Sequence, residues 1–348
     1  MHELFLDYRD PLFSIIVIIL TIFIISFLTY SFSLFKEKKA RREYRKLLKR
    51  FEIGILKKED FVHLYTTYNL SFDSIVLLAS VFIHQGNYTK AISVYLALLE
   101  VVEENIKKEE LLELLGNAYF KGGFLQRSKE IYLKLLKFSP RNKVALNFIL
   151  IIYQKLNEYQ KASEVLVVLN ELDCDITLEK LYIDTLQVIS NPIISFEDKS
   201  LTLMKKFDKN SRIERLIIQF LLKYNKQLFW DNIHKFDIKN CIDLLWYLDF
   251  NDIDFDIINQ YTILQEIYTA KGYISTSTTS PIFELAVLIA IKKSDSIVKA
   301  DLNFEFLCKQ CKKIHPIYES RCPHCNTILT FIVEPKLAQQ SLLQMSLL

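Results

Sequence analysis

ASVFIHQGNYTKAISVY (79–95) and GNAYFKGGFLQRSKEIY (116–132) are one pattern written twice. Ala79, Phe82, Gly86, Ala91 and Tyr95 of the first stretch fall 37 residues before Gly116, Tyr119, Gly123, Ser128 and Tyr132 of the second. The ladder returns 34 residues further on as Leu150, Tyr153, Asn157, Ala162 and Leu166. Helical periodicity runs through the same segments: Phe72, Ile75, Ala79 and Phe82 share one face, as do Tyr88, Ala91, Ile92, Tyr95, Leu98, Leu99 and Val102. Such a unit has an apolar side that it cannot bury alone, so neighbouring units must stack. Composition agrees with an all-α chain. Of 348 residues, 51% are hydrophobic but only 6 are Gly and 7 Pro, too few for the hairpins of a β-sandwich or the turns of a dinucleotide fold. A net charge of +3 argues against an extended nucleic-acid footprint.

The ladder resembles the tetratricopeptide repeat, a unit of about 34 residues made of two antiparallel helices. The resemblance implies that small residues at the Ala79 and Ala91 positions bring the two helices close. It also implies that aromatics at Phe82 and Tyr95 fill the space between them and that Gly86 or Gly123 makes the turn. Pro140 follows the second unit, where a proline commonly closes the motif. Three repeats are expected over residues 72–175. From 176 to 300 the ladder fades into degenerate helical repeats, with helices expected at Ile213–Tyr224, Cys241–Leu248, Ile257–Tyr268 and Ile282–Lys292. Ser275–Pro281 reads as an exposed loop before a helix that Pro281 begins, and Trp230 and Trp246 read as core residues.

LFSIIVIILTIFIISFLTYSFSLF (12–35) carries no charge and, at about 1.5 Å per helical residue, covers roughly 36 Å, enough to span a bilayer. Glu3, Asp7, Arg9 and Asp10 precede it. Lys36, Lys38, Lys39, Arg41, Arg42, Arg45, Lys46, Lys49 and Arg50 follow, so the positive-inside bias places everything after residue 35 in the cytoplasm. With no basic residues clustered in front and no small-residue cleavage site behind, residues 1–35 are expected to remain as an N-terminal transmembrane anchor. Residues 36–71 form a basic juxtamembrane and linker stretch. Its charges are read as a topology signal at the membrane surface, with a nucleic-acid patch or contact to anionic lipid the alternatives.

Cys308-Lys-Gln-Cys311 and Cys322-Pro-His-Cys325 are two Cys-x-x-Cys knuckles, four thiolates able to converge on one zinc ion. Four thiolates fill a tetrahedral sphere, so the site is structural and leaves no open position for substrate. Iron in the same site remains open, whereas a redox dithiol would require a βαβ context that the flanks lack. His315 and His324 are surplus to the ligand set, and Cys174 and Cys241 read as buried small hydrophobes. Phosphate-loop, His-Glu-x-x-His, Gly-x-Ser-x-Gly and Gly-x-Gly-x-x-Gly motifs are all absent, so the chain does not read as an enzyme.

An N-terminal membrane helix, a basic juxtamembrane stretch, helical repeats and a four-cysteine module together resemble the lipopolysaccharide assembly protein B (LapB) family. Residues 111–136 and 145–172 resemble that family's central repeats. FLCKQCKKIHPIYESRCPHCNTILTFI (306–332) resembles its rubredoxin-like metal domain, expected here at 301–335 as a small zinc ribbon, with a flexible tail at 336–348. Two positions depart from the pattern. Lys312 stands where such knuckles carry Gly, a place that favours positive φ, and Ser320-Arg321 replace the aromatic expected before the third Cys. The resemblance implies an adaptor in the bacterial inner membrane that brings the LpxC deacetylase to the FtsH protease and so sets the rate of lipopolysaccharide synthesis. Competing readings are a membrane-tethered scaffold for another envelope assembly or transport complex, and an electron carrier holding iron between the knuckles.

Overall fold

A computed structural model describes residues 11–53, 56–68, 70–276, 279–294 and 300–339. The chain divides into two compact units, Met1–Ala145 and Leu146–Leu348.

The first unit opens with one long helix, α1 (Pro11–Ile53), which runs from the apolar stretch through the basic residues. Its Val17–Glu43 segment is long and apolar enough to cross a membrane, and none of its most apolar window is buried within the protein. The basic residues that follow are therefore helical. Five helices come next: α2 (Lys58–Thr66), α3 (Phe72–His84), α4 (Tyr88–Val101), α5 (Asn105–Lys121) and α6 (Leu125–Phe138). Ser71 starts α3 by accepting a hydrogen bond from the Ser74 amide at 3.2 Å. Asp60 caps α2 from its own third position, accepting from the Lys57 amide at 2.9 Å, and pairs with Arg50 of α1 at 2.9 Å. A continuous core unites these helices, with Phe61, Ile75, Ala79, Ala91, Tyr95, Leu98, Leu111 and Leu115 all buried.

The ladder positions do what the motif implies. Gly86 and Gly123 sit at φ 76° and 79°, the left-handed conformation that reverses the chain between paired helices. Between α5 and α6 the approach is tight enough that a β-carbon on Gly116 would stand 2.7 Å from the Tyr132 ring. The buried Ser128 hydroxyl donates to the Gly116 carbonyl at 2.8 Å. Substituting Gly116→Ala is therefore expected to destabilise the first unit by about 1–3 kcal/mol through overpacking. A thermal melt checks this, and an unchanged midpoint would mean that the two helices separate freely.

The second unit takes all but the first turn of α7 (Lys143–Lys155), pairs it with α8 (Tyr159–Glu171), and continues through α9 (Thr177–Ser190), α10 (Phe196–Phe207) and α11 (Glu214–Tyr224). Asn157 occupies the turn position held by Gly86 and Gly123 and adopts the same left-handed conformation, φ 59°, which asparagine tolerates better than most residues. Beyond α11 the helices shorten to α12 (Lys226–Asp231), α13 (Ile242–Trp246), α14 (Phe255–Ile258), α15 (Thr262–Lys271) and α16 (Phe283–Lys293). Two expected helices are broken up. Cys241–Leu248 contains the five-residue α13 preceded by a 3-10 turn. Ile257–Tyr268 is interrupted where the Asn259 and Gln260 side chains fold back onto the Phe255 and Asp256 carbonyls. The last helix begins at Phe283, two residues after Pro281. Trp230 and Trp246 are core residues, 3% and 4% exposed. Cys241 is buried as expected, whereas Cys174 is only half-buried.

The chain ends in a three-stranded antiparallel sheet of order β2-β1-β3, with β1 at Ala300–Cys308, β2 at Ile314–His315 and β3 at Phe331–Gln339. The fold is thus helical with one small β module, and β3 extends through 336–339, a stretch expected to be tail. Residues 340–348 lie outside the described residues. Leu302, Phe304, Phe306 and Cys308 alternate on the buried face of β1, so the sheet has one wet and one dry side.

Candidate metal centre

Each knuckle is built by the same local rule. In the first, the Cys308 amide donates to the Lys313 carbonyl and the Lys312 amide to the Cys308 carbonyl. In the second, Cys322 donates to Thr327 and Asn326 to Cys322, the same bonds fourteen residues later. Closing these turns forces the fifth residue of each knuckle into the left-handed region, Lys312 at φ 59° and Asn326 at φ 61°. Lys312 thus takes the conformation that the departure from Gly put in question, at a steric cost that the knuckle's other bonds must offset.

The two turns bring Cys308, Cys311, Cys322 and Cys325 together with all four sulfurs within 4.8 Å of one another. The Cys308–Cys325 and Cys311–Cys322 separations are both 3.7 Å. A tetrahedron with metal–sulfur bonds of roughly 2.3 Å has edges of roughly 3.8 Å, so the sulfur set fits a tetrahedral ion. His324 is exposed and plays no part. His315 lies beside the site, its Nε2 3.7 Å from the Cys322 sulfur and its ring edge-on to Phe331.

Two hydroxyls that the spacing of cysteines does not reveal also face the sulfurs. Thr327 Oγ1 is 3.0 Å from Cys325 Sγ, and Thr330 Oγ1 is 3.5 Å from Cys308 Sγ. A thiolate can only accept, so these hydroxyls act as donors to it. Burial works against charge on Cys308, but the Cys311 and Gln310 amides and the Thr330 hydroxyl outweigh it and hold that thiol down at about 5. Burial likewise opposes charge on Cys325 and is outweighed by the Thr327 hydroxyl and amide. Cys322 goes the other way, pushed up to about 12 chiefly by burial. Four adjacent sulfurs cannot all ionise on their own, and a bound cation is what would let them.

The module does not stand apart from the helices of its unit. Arg321, only 5% exposed, reaches from the second knuckle to α7 and α9. It donates to both Glu179 carboxylate oxygens, at 3.0 and 2.7 Å, to Gln154 Oε1 at 2.7 Å, and back to the Asn326 carbonyl of its own knuckle at 2.7 Å. Arg215 of α11 makes the reciprocal contact. Its guanidinium is paired with Asp243 and lies over the Tyr318 ring at 3.9 Å, while its buried Nε has no hydrogen-bond partner among the described residues. Trp246 adds an indole bond to Asp301 of β1 at 3.1 Å, and Tyr247 packs edge-on against Phe304. The position before the third Cys, expected to carry an aromatic, therefore carries the residue that anchors the module.

No protein family profile matches the chain, and no curated protein matches it. Solved structures similar to it include a MamA RS-1 ArsTM double mutant, 16% identical, covering 57% of this chain and 95% of that one with a TM-score of 0.33. Another is BtubC (BKLC) from P. vanneervenii, 15% identical, covering 74% of this chain and 89% of that one with a TM-score of 0.27.

Proposed function

We propose that the chain is a membrane-anchored scaffold, not an enzyme, and that it acts at the cytoplasmic face as an adaptor presenting the LpxC deacetylase to the FtsH protease. The observation that carries the scaffold reading is the four-sulfur module bound by Arg321 and Arg215 to the helices of its unit. An ion held by four thiolates has no position left for a substrate, and its effect is to fix two knuckles and whatever they are attached to. We take the ion to be zinc. Stacked helical hairpins supply surface for polypeptide clients. The uncharged stretch up to residue 35, within the helix segment long and apolar enough to cross a membrane, is read as a single inner-membrane span with the basic residues from Lys36 to Arg50 on the cytoplasmic side. Tethering raises the effective concentration of a client near a membrane protease without requiring any new contact. The LpxC and FtsH assignment rests on the LapB resemblance.

Deleting the gene and following LpxC by immunoblot after translation is stopped tests the assignment. A several-fold longer LpxC half-life is expected, and an unchanged half-life rejects it.

A further inference from the structure

From Asn240 to Ala270 the chain carries Asp243, Asp249, Asp252, Asp254, Asp256 and Glu266 and neither lysine nor arginine, in a protein whose net charge is +3. Four of these have local partners. Asp243 pairs with Arg215, Asp252 with Lys226 at 2.5 Å, Glu266 accepts from Ser280 at 2.6 Å, and Asp254 caps α14. Asp249 and Asp256 are exposed and make no ion pair among the described residues.

Aromatic rings stand among these carboxylates. Tyr247 and Phe250 are 63% and 53% exposed. The Phe250 ring is held by Phe255 at 5.0 Å and by Tyr273 at 5.1 Å, so it is fixed in place while half its area meets water. Phe255 in turn lines a cleft of about 380 Å³ shared with Trp230, Lys226, Asp252, Asp254 and Asp256. Tyr247 joins the same neighbourhood through Leu248, whose carbonyl accepts from Lys271 Nζ at 2.8 Å while that ammonium lies 4.6 Å from the Tyr273 ring. The surface from Tyr247 to the cleft thus carries exposed ring area and more carboxylates than cations, with Lys226, paired with Asp252, and Lys271 as the cations among them.

That combination selects among partners. Carboxylates repel an acidic peptide or a nucleic-acid backbone, whereas ring faces and carboxylates both attract a cation. The exposed ring area also matches the apolar stem of arginine or lysine, and rings that are already fixed lose little freedom on binding. We infer that the surface of residues 247–256 and the adjoining cleft dock a basic segment of a partner protein, with arginine or lysine alternating with apolar residues. The inference rests on the scaffold reading and adds the chemistry of one client surface to it.

The test uses the full-length protein in detergent micelles and a short fluorescent peptide alternating arginine with leucine, with glutamate replacing arginine in the control. Saturable binding of the arginine peptide is expected, weakening as salt is raised. Affinity should fall by about tenfold or more in the Asp249→Asn, Asp256→Asn double variant, and likewise in Phe250→Ala. The double variant changes exposed side chains only, so its fold is secure even if Phe250→Ala disturbs the ring cluster. Absence of saturable binding, equal binding of the glutamate peptide, or an unchanged affinity in the double variant overturns the inference. LpxC half-life in the deletion strain separates the two proposals. If turnover depends on the gene but the peptide does not bind, only this surface is rejected. If the peptide binds as expected while turnover is unaffected, the surface stands and the LpxC assignment falls.

Discussion

An Arg321→Ala chain is expected to lose about 3 kcal/mol from the attachment of the metal module to its helices, the low end of the range for breaking a buried ion pair. The estimate is held to the low end because the Glu179 side chain remains 25% exposed and can be rehydrated once its partner is gone. Two further groups lose their bonds, and a void is left. Gln154 Oε1 and the Asn326 carbonyl lose a donor each, and the aliphatic stem of a residue that is 5% exposed leaves a void. Hydrogen exchange read peptide by peptide is the appropriate measurement, because the loss is local. Protection should fall at α9 and in the second knuckle, Arg321–Thr327, and should be unchanged in α3 to α6 of the first unit. A fall of equal size in every helix would mean that the substitution unfolds the chain generally and that the clamp is not a distinct joint. An Arg321→Met variant refines the point. It restores volume without charge, so recovery of protection in Arg321→Met would assign the loss to packing, and continued loss would assign it to the Glu179 pair.

This joint also shows what was legible in the sequence and what was not. The repeat was legible because each ladder position answers a local need: a left-handed turn at Gly86, Gly123 and Asn157, and a close helix approach at Gly116 against Tyr132. The four sulfurs were legible because each Cys-x-x-Cys turn is set by a handful of neighbouring backbone bonds. Lys312 was legible as an exception for the same reason. Arg321 could be seen as a departure, but its partner Glu179 lies 142 residues away, and an acidic residue on a repeat helix has no local mark that says which cation it will meet. Thr327 and Thr330 fall in the same class at shorter range, since hydroxyls near cysteines are common and only the closed knuckles aim these two at sulfur. The expected helices Cys241–Leu248 and Ile257–Tyr268 were overcounted in length because apolar periodicity continues through both, while a 3-10 turn capped by Asp237 takes up Cys241 in the first and the Asn259 and Gln260 side chains take the Phe255 and Asp256 carbonyls in the second. The reach of β3 through 336–339 was missed because its partner strand is what makes it a strand, pairing Lys336 with Asn303 and Gln339 with Ala300.

The dry face of the sheet decides what removing the ion does. From its length alone the four-cysteine module has too little core to fold without metal, so a Cys308→Ser, Cys311→Ser chain would be expected to lose the whole module. In the structure Leu302, Phe304, Phe306 and Val333 are nonetheless 8% exposed or less, and Trp246 and Tyr247 hold β1 from the helical side. Burying a side chain of that size contributes roughly 1.5–3 kcal/mol, so the distal ladder from Ala300 to Glu305 has support that owes nothing to metal. The knuckles have less: the backbone bonds of each turn and, in the second, the Arg321 clamp. Their turns hold Lys312 and Asn326 in the left-handed region, and with the ion's binding free energy, on the order of 10 kcal/mol, removed, only those bonds remain to offset that conformation. Metal content measured on the purified chain should fall from one ion per four-cysteine site to none. Amide exchange at Lys312, Cys322 and Asn326 should then accelerate by roughly a thousandfold or more, a part of what that binding energy would allow. The amides of Leu302 and Phe304 should keep most of their protection. Because Arg321 adjoins Cys322 and is steadied by the Asn326 carbonyl, protection at α9 should fall as it does in Arg321→Ala, although neither Arg321 nor Glu179 has been touched. Full protection at both knuckles in the serine chain would show that the ion does not hold them, and with that the structural role of the four sulfurs would be gone.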